Sequence, residues 1–518
     1  MSRKLWCLRM TVVRAGLAIT LMKLGAAAAQ AVVPISGLSP NPDGGNPNDA
    51  AAVTRCNGAP QTGVLYRNSE SEPHLAVNPL DRNNLIAGWH QDRWSTGGAQ
   101  SLGAAYSRDG GQSWTRVVIP FTRCAGAQPG SSGDYERASD PWISFGPTGT
   151  AYFMALSIDR SSNENAMLVS RSTDQGASWS PPTVIVRQPA QDAVQASVSH
   201  DKNSLLADPY DARRVYAAWT VFRTGVTSLV FSRSTDGGRT WSPPAPIATM
   251  GSVARSALAV FRQGAQMAVL PDGTLVSAFF RIVTEQRSGA TAYEQVLLRS
   301  VDQGRHWSRR DIPVSVFGNV TARDVELGIP VRDAEGLPSL AVNRRTGALY
   351  MAWQDSRFNS LGLAGIAIAR SVDGGLTWSG PVRANPGADN RVQAFLPTVA
   401  VNDDGTVGVL FYDFRNDVAG DAPLSTDVHL SLFDAGLNYL DEKRLTPSSF
   451  DLRQMVLTGA RGFFPGDYMG LSSAGADFVA AFTRSNDLGL PVLFPQDNSG
   501  VSVDAHDRQS IMFVRQAP

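Results

Sequence analysis

Along the chain, short apolar runs alternate with tight polar turns, and the pairing recurs. PWISFGPTGTAYFMAL from Pro141, MAVLPDGTLVSAFF from Met267 and PTVAVNDDGTVGVLFY from Pro397 each place two β-rich runs around a turn. PSLAVNRRTGALYMAW from Pro338 and PHLAVNPLDRNNLIAGW from Pro73 follow the same plan. Turn chemistry such as PDG, NDDG and GPTG between runs of this kind predicts β-hairpins. Hairpins are expected near residues 73, 141, 202, 267, 338, 397 and 468. Helical periodicity is not convincing anywhere.

After most hairpins a third run leads into a repeated octet. SRDGGQSW (107–114), STDQGASW (172–179), STDGGRTW (234–241), SVDQGRHW (300–307) and SVDGGLTW (371–378) keep Ser, Asp, Gly and Trp at fixed offsets, and LFDAGLNY (432–439) is a degenerate sixth. The copies recur about every 60 to 70 residues, which signals a repeat architecture. The aspartates, Asp109, Asp174, Asp236, Asp302 and Asp373, are expected to accept backbone N–H groups of the turn. Glycine supplies positive φ and tryptophan packs between sheets. These are structural tasks.

Four strands per repeat (two in the hairpin, one entering the octet, one leaving it) cannot bury both sheet faces alone. An all-β propeller of four-stranded antiparallel blades follows. Seven hairpins predict seven blades, with six as the alternative count. The last repeat ends at Pro518 before a fourth strand, and TGVLYRN from Thr62 is expected to complete that blade. Hairpin turns and octets share one end of each blade, so chemistry is expected at the opposite face.

Composition narrows the rest. The 518 residues carry no formal net charge and only 18% charged residues, which excludes the basic footprint of a nucleic-acid-binding protein. Residues 1–31 read as an export signal: Arg3, Lys4, Arg9 and Arg14, then AGLAITLM, then GAAAAQA. The remainder divides into an N-terminal extension, 32–61, and a propeller, 62–518. No later run is long and apolar enough to cross a membrane, and a monomer is expected. Cys7 lies in the signal, leaving Cys56 and Cys124. They are expected to form a disulfide in an oxidising compartment, with two free thiols as the alternative. No zinc, phosphate-loop or dinucleotide motif is present. No cofactor is expected, Ca²⁺ being the one ion that rim carboxylates could hold.

The S-x-D-x-G-x-x-W octets resemble the Asp box, or BNR repeat, of the sialidase superfamily, and the resemblance spans nearly the whole mature chain. It implies a glycan-active protein with a glycan or other anionic ligand. Exo-sialidase-like hydrolysis is the most concrete version. A non-catalytic binding or assembly propeller, or a lyase or neutral-glycan hydrolase, is the alternative. By that resemblance Arg93, Arg357 and Arg415 form a carboxylate clamp and Tyr468 is the nucleophile. Glu72 is the base for the tyrosine, and Asp92 or Asp140 the acid/base. Asp355, Asp413 and Asp467 complete the rim. The F/Y-R-I-P motif of sialidases is missing, its nearest match being YRNS from Tyr66. The rim Asp and Arg residues could equally pair with one another to fasten blades.

Overall fold

The computed structural model describes residues 31–190, 198–223, 226–249, 258–459, 462–492 and 500–518. The predicted export signal lies outside the described residues except for Ala31. Each expected hairpin is present: Gly63–Asn78 with Asp81–Trp94, Arg137–Phe145 with Ala151–Ile158, Ser199–Ala207 with Val215–Arg223, and Leu258–Val269 with Leu275–Glu285. Ser339–Val342 with Leu349–Gln354, Ala394–Val401 with Val407–Asp413, and Gly470–Ala474 with Asp477–Ser485 follow. A third antiparallel strand extends each pair, and a fourth lies outside it. The first two units join through one pairing, Ala99 with Ala138.

The innermost strands touch in a cycle. Gly63–Asn78 contacts Arg137–Phe145, which contacts Ser199–Ala207, then Leu258–Val269, Ser339–Val342, Ala394–Val401 and Gly470–Ala474; the last returns to Gly63–Asn78. Apolar clusters fill the spaces between consecutive sheets. In one, Met154, Leu156 and Met167 of the second unit pack against Leu205, Ala217 and Trp219 of the third. This is the architecture of a β-propeller.

The octets are built alike. In the first, Ser107 Oγ donates to Asp109 Oδ1 (2.7 Å) and accepts the Gly111 N–H (2.9 Å), while Asp109 Oδ1 accepts the Ser113 N–H (3.0 Å). Hydrogen bonds from Ser113 hold Asp109 down at about 2. Trp114 meets Phe513 of the neighbouring sheet edge-on, ring centroids 5.0 Å apart. Gly111, at φ 96°, lies so close to Phe513 that a Cβ would overlap the ring. The box also touches its own hairpin turn, Gly110 N–H donating to Asn83 O (3.0 Å). Hairpin turns and octets thus share one end of the blade, as expected.

Closure differs from the expectation. The edge strand of the last sheet is Val33–Pro34, Val33 opposite Phe513 and Pro34 opposite Met512. Residues 63–66 pair in parallel with Val501–Asp504 and run without a turn into the innermost strand of the first sheet. No turn exists to bring them round to the last sheet, and Pro34 suits an edge position that needs no second ladder. The extension is therefore part of the ring. Its one short α-helix, Ala50–Val53, is capped by Asp49. Cys56 and Cys124 are joined by a disulfide.

Candidate functional site at the propeller axis

Several innermost strands carry the same irregularity. The pairing register shifts between Ser71 and His74, Ser139 and Trp142, Asp201 and Ser204, Gln263 and Gln266, and Phe395 and Thr398. Each shift holds a residue of positive φ: Glu72 (55°), Asp140 (55°), Lys202 (54°), Gly264 (79°) and Leu396 (56°). Bulges re-aim side chains, and a non-glycine residue there costs on the order of 1–3 kcal/mol. Three of the five are charged, and they meet.

Lys202 is the hub. Its N–H donates to Asp140 Oδ2 (2.8 Å), and its Nζ hydrogen-bonds Asp467 and lies 3.8 Å from Asp201 Oδ1. Arg332 Nη2 reaches the same Asp467 Oδ2 at 3.0 Å. Arg332 comes from an irregular loop, held by its N–H on Phe463 O (2.8 Å) and by its guanidinium over Phe464 (4.4 Å). Arg93 lies over the same ring at 4.7 Å. Burial opposes the charge on Asp467, yet Arg332 and Lys202 outweigh it and hold this carboxyl far below its usual range. For Asp201, burial, with Asp140 and Asp467 beside it, outweighs Lys202 and raises the carboxyl to about 6. About a third of its side chain still faces open space.

Glu72 and His90 form a second knot. Glu72 Oε2 lies 2.9 Å from His90 Nε2, both fully enclosed. Burial, then Asp467 and Asp140, pushes Glu72 well up; burial, then Arg93, pushes His90 well down. Both shifts favour the uncharged form of each group. Glu72, His90 and Asp140 bring potential metal-ligand atoms within 4.8 Å of one another. His90 Nε2 accepts the Asp140 N–H (3.2 Å), and Asp140 accepts from Lys202 N–H and the Ser139 hydroxyl (2.8 Å each), whereas Glu72 Oε2 is buried without a hydrogen-bond partner.

Two cavities adjoin this cluster. A funnel of about 610 Å³ is lined by the charged Asp201, Lys202, Arg332, Glu335 and Asp467 and by the aromatic Phe222, Phe261 and Phe280. A smaller axial cavity, about 140 Å³, includes His74, Trp142, Asn203, Asp333 and Tyr468.

Of the residues named from sequence, Glu72, Arg93, Asp140, Asp467 and Tyr468 gather at the axis. The three clamp arginines do not meet. Arg357 Nε pairs with Asp355 (2.7 Å) and Arg415 Nη2 with Asp413 (2.6 Å), each within its own blade, and Arg415 also pairs with Glu442. The turns after these strands explain this: Asp355 and Asp413 each accept the backbone N–H of the arginine two residues on (3.0 and 3.3 Å), which brings its guanidinium back onto the same carboxylate. Arg93 is buried, its Nη1 on Gly98 O. Asp92 is closed off from the axis by the extension, accepting from the Ser39 hydroxyl, Asn41 Nδ2 (2.8 Å) and Asn68 N–H (2.9 Å). Tyr468 donates to Pro141 O (3.0 Å), and burial with Glu72 and Asp140 pushes its hydroxyl well above 10. Glu72 meets His90, at 2.9 Å, and no hydrogen bond between Glu72 and Tyr468 is found among the described residues. Lys202, Arg332 and His90 carry no motif that marks them in the sequence: Arg332 sits outside the repeats, and His90 is a lone imidazole within a strand.

Residues 105–116 match the BNR/Asp-box repeat. No curated protein sequence matches the chain significantly. Among solved structures, an α-L-arabinanase of Penicillium chrysogenum complexed with arabinobiose is similar at 12% identity, over 88% of this chain and 97% of that one, with a TM-score of 0.42. A leech intramolecular trans-sialidase complexed with 2,7-anhydro-Neu5Ac is similar at 11% identity, over 94% and 97%, with a TM-score of 0.42. A polysaccharide lyase, PL25 ulvan lyase, is similar at 10% identity, over 94% and 96%, with a TM-score of 0.48. Likeness this distant assigns no chemistry. The chain thus carries a BNR/Asp-box repeat at residues 105–116, the first of its five octets of that pattern.

Proposed function

We propose that the chain is an exported, glycan-active propeller of seven blades whose ligand is held in the funnel opposite the Asp boxes. One observation carries this reading: Asp201 and Asp467 are linked through Lys202 at the funnel wall. One carboxyl is raised towards neutral pH and the other is held ionised. Glycosidic hydrolysis needs this division, an acid that protonates the leaving oxygen and a carboxylate that supports attack. Phe222, Phe261 and Phe280 offer apolar surface to the C–H face of a sugar ring. Arg332 offers donors to its hydroxyl or anionic groups. The basic and apolar start and the Cys56–Cys124 bridge support export.

Sialidase-type hydrolysis is the most specific version, and it requires Tyr468 to leave Pro141 O and lose its proton. A second reading, binding without turnover, is favoured by the pairing of both Lys202 and Arg332 with Asp467.

The test is product release from a fluorogenic sialoside, neutral glycosides and uronate-containing polysaccharides. Turnover of one of them, falling about 10²-fold or more in Asp201→Asn, supports the carboxylate pair. Sialoside turnover lost in Tyr468→Phe but kept in Asp201→Asn replaces that pair with the tyrosine. No turnover of any substrate, with glycan binding lost in Arg332→Ala, leaves the binding module.

A further inference from the structure

We propose that the axial cavity beneath the funnel is a second subsite, taking an uncharged, hydroxyl-bearing part of the ligand, with Asp333 as the hydrogen-bond donor to it. This rests on the funnel being the ligand site and names what the inner part of that site accepts.

Asp333 is 2% exposed and lines the cavity. Its Oδ2 accepts the Ala322 N–H (2.8 Å) and Gln354 Nε2 (2.7 Å). Its Oδ1 is buried with no hydrogen-bond partner. Oδ2 already faces two donors, so the proton of the neutral acid belongs on Oδ1. There it makes the orphan atom a donor into the cavity. Burial, with Glu335 on the same loop, raises this carboxyl to about 8, so the acid form prevails at neutral pH. Across the cavity stand Lys202, Asp467, His74 and Tyr468.

Asn203 supplies the complement. Its Nδ2 donates to Asp140 O (2.9 Å), while its Oδ1 is buried without a partner on the wall of the same cavity. One orphan donor and one orphan acceptor each leave a desolvation cost of about 1–3 kcal/mol unanswered. A hydroxyl-bearing group can serve both. A charged group finds no free counter-charge: Lys202 is tied to Asp467. His74 accepts the Ile143 N–H at Nδ1 (3.2 Å) and is kept neutral by burial, at about 3. Leu337, Leu396 and Val399 add apolar wall beside the uncharged Ser204, Gln266 and Thr398. The class indicated is a neutral sugar unit or its hydroxymethyl arm, not a carboxylate. Arg332 and Asp333 are consecutive, one lining the funnel and the other the cavity. The two subsites are therefore mechanically joined.

Met469 lines the cavity and reports on it. The full chain, labelled with ¹³C-methyl methionine and with Met469 identified through Met469→Leu, is titrated with D-galactose, D-mannose, D-xylose and D-galacturonate. At least one neutral sugar should shift the Met469 signal, with galacturonate weaker. Asp333→Leu should weaken that binding about tenfold, and Asp333→Asn, which keeps a donor and an acceptor, by less than about threefold. In the native chain the affinity should decline above pH 8, and in Asp333→Asn it should not. A Met469 signal unmoved by every neutral sugar, an equal response to galacturonate, or native affinity in Asp333→Leu overturns the proposal. Sugar binding sensitive to Arg332→Ala with Met469 unmoved removes the inner subsite alone. No sugar binding at all removes the funnel reading with it.

Discussion

The backbone N–H of Lys202 donates to the carboxylate of Asp140 at 2.8 Å. Each residue occupies the bulge of its own innermost strand, so the strained backbone of one blade is pinned by the charge of the next. Function and stability are coupled at this contact.

Replacing Lys202 by Met leaves Asp467 and Asp140 buried with one cation fewer. Breaking a buried pair from one side typically costs about 3–5 kcal/mol, whereas replacing both partners by apolar groups is far milder. Urea unfolding should show Lys202→Met strongly destabilised and Lys202→Met with Asp467→Leu partly recovered. A single variant as stable as the native chain would mean that the pair contributes little.

Asp333 gives a pH signature. Its carboxyl is raised in the fold, to about 8, so between the unfolded value and pH 8 the native state holds the extra proton. Its stabilising contribution is complete below the unfolded pKa and is lost as pH rises through 8. Asp333→Asn does not titrate. Its stability relative to the native chain should therefore improve by about 1.4 kcal/mol per pH unit between pH 4 and 8. Urea midpoints at four pH values measure it, and a constant difference contradicts it.

Gly111 and Gly126 separate strain from packing. Both have positive φ, 96° and 87°, but a Cβ at Gly111 meets Phe513 whereas one at Gly126 meets nothing within 4 Å. Gly126→Ala should cost about 1–2 kcal/mol. Gly111→Ala should cost about 1–3 kcal/mol more. Thermal melts of the two variants give the comparison, and equal melts would show that the ring yields without cost.

The Cys56–Cys124 bridge spans 68 residues of sequence. A loop of that size gives about 4 kcal/mol by chain entropy. Intact-mass measurement without reductant should find no free thiol in the folded mature chain, and Cys56→Ser with Cys124→Ser should lower the melting temperature. Two titratable thiols would reject the bridge.

The repeat frame was legible because each part carries local chemistry. The Ser, Asp, Gly and Trp of an octet bond almost entirely within eight residues, and a hairpin needs only its turn and alternation. The site was legible in part. Glu72, Asp140 and Asp467 stand at the starts of innermost strands, a position the hairpin pattern reveals. Asp355 and Asp413 have the same pattern, but each has its arginine two residues on, which the turn after the strand folds back into a private pair. Asp92 was misread because its partners, Ser39 and Asn41, come from an extension with no strand pattern to place it. Arg332 rides on an irregular loop whose course depends on pairing with residues near 463, a contact without any sequence signal.

The pairing of Val33 with Phe513 dictates an order of assembly. The sheet that closes the circle takes its edge from residues 33–34 and its core from residues 470–516. The blades between can form as they are made, since their contacts are local. The final sheet cannot be completed until residues 509–516 have been made, and its closure joins distant segments at the largest loop-closure cost. Until Val33–Pro34 docks on it, the strand Gln509–Gln516 shows a bare edge, the kind of surface on which other chains pair. The first residues beyond the predicted export signal thus guard the nascent protein against aggregation, and trimming them should be felt in yield before it is felt in the finished fold.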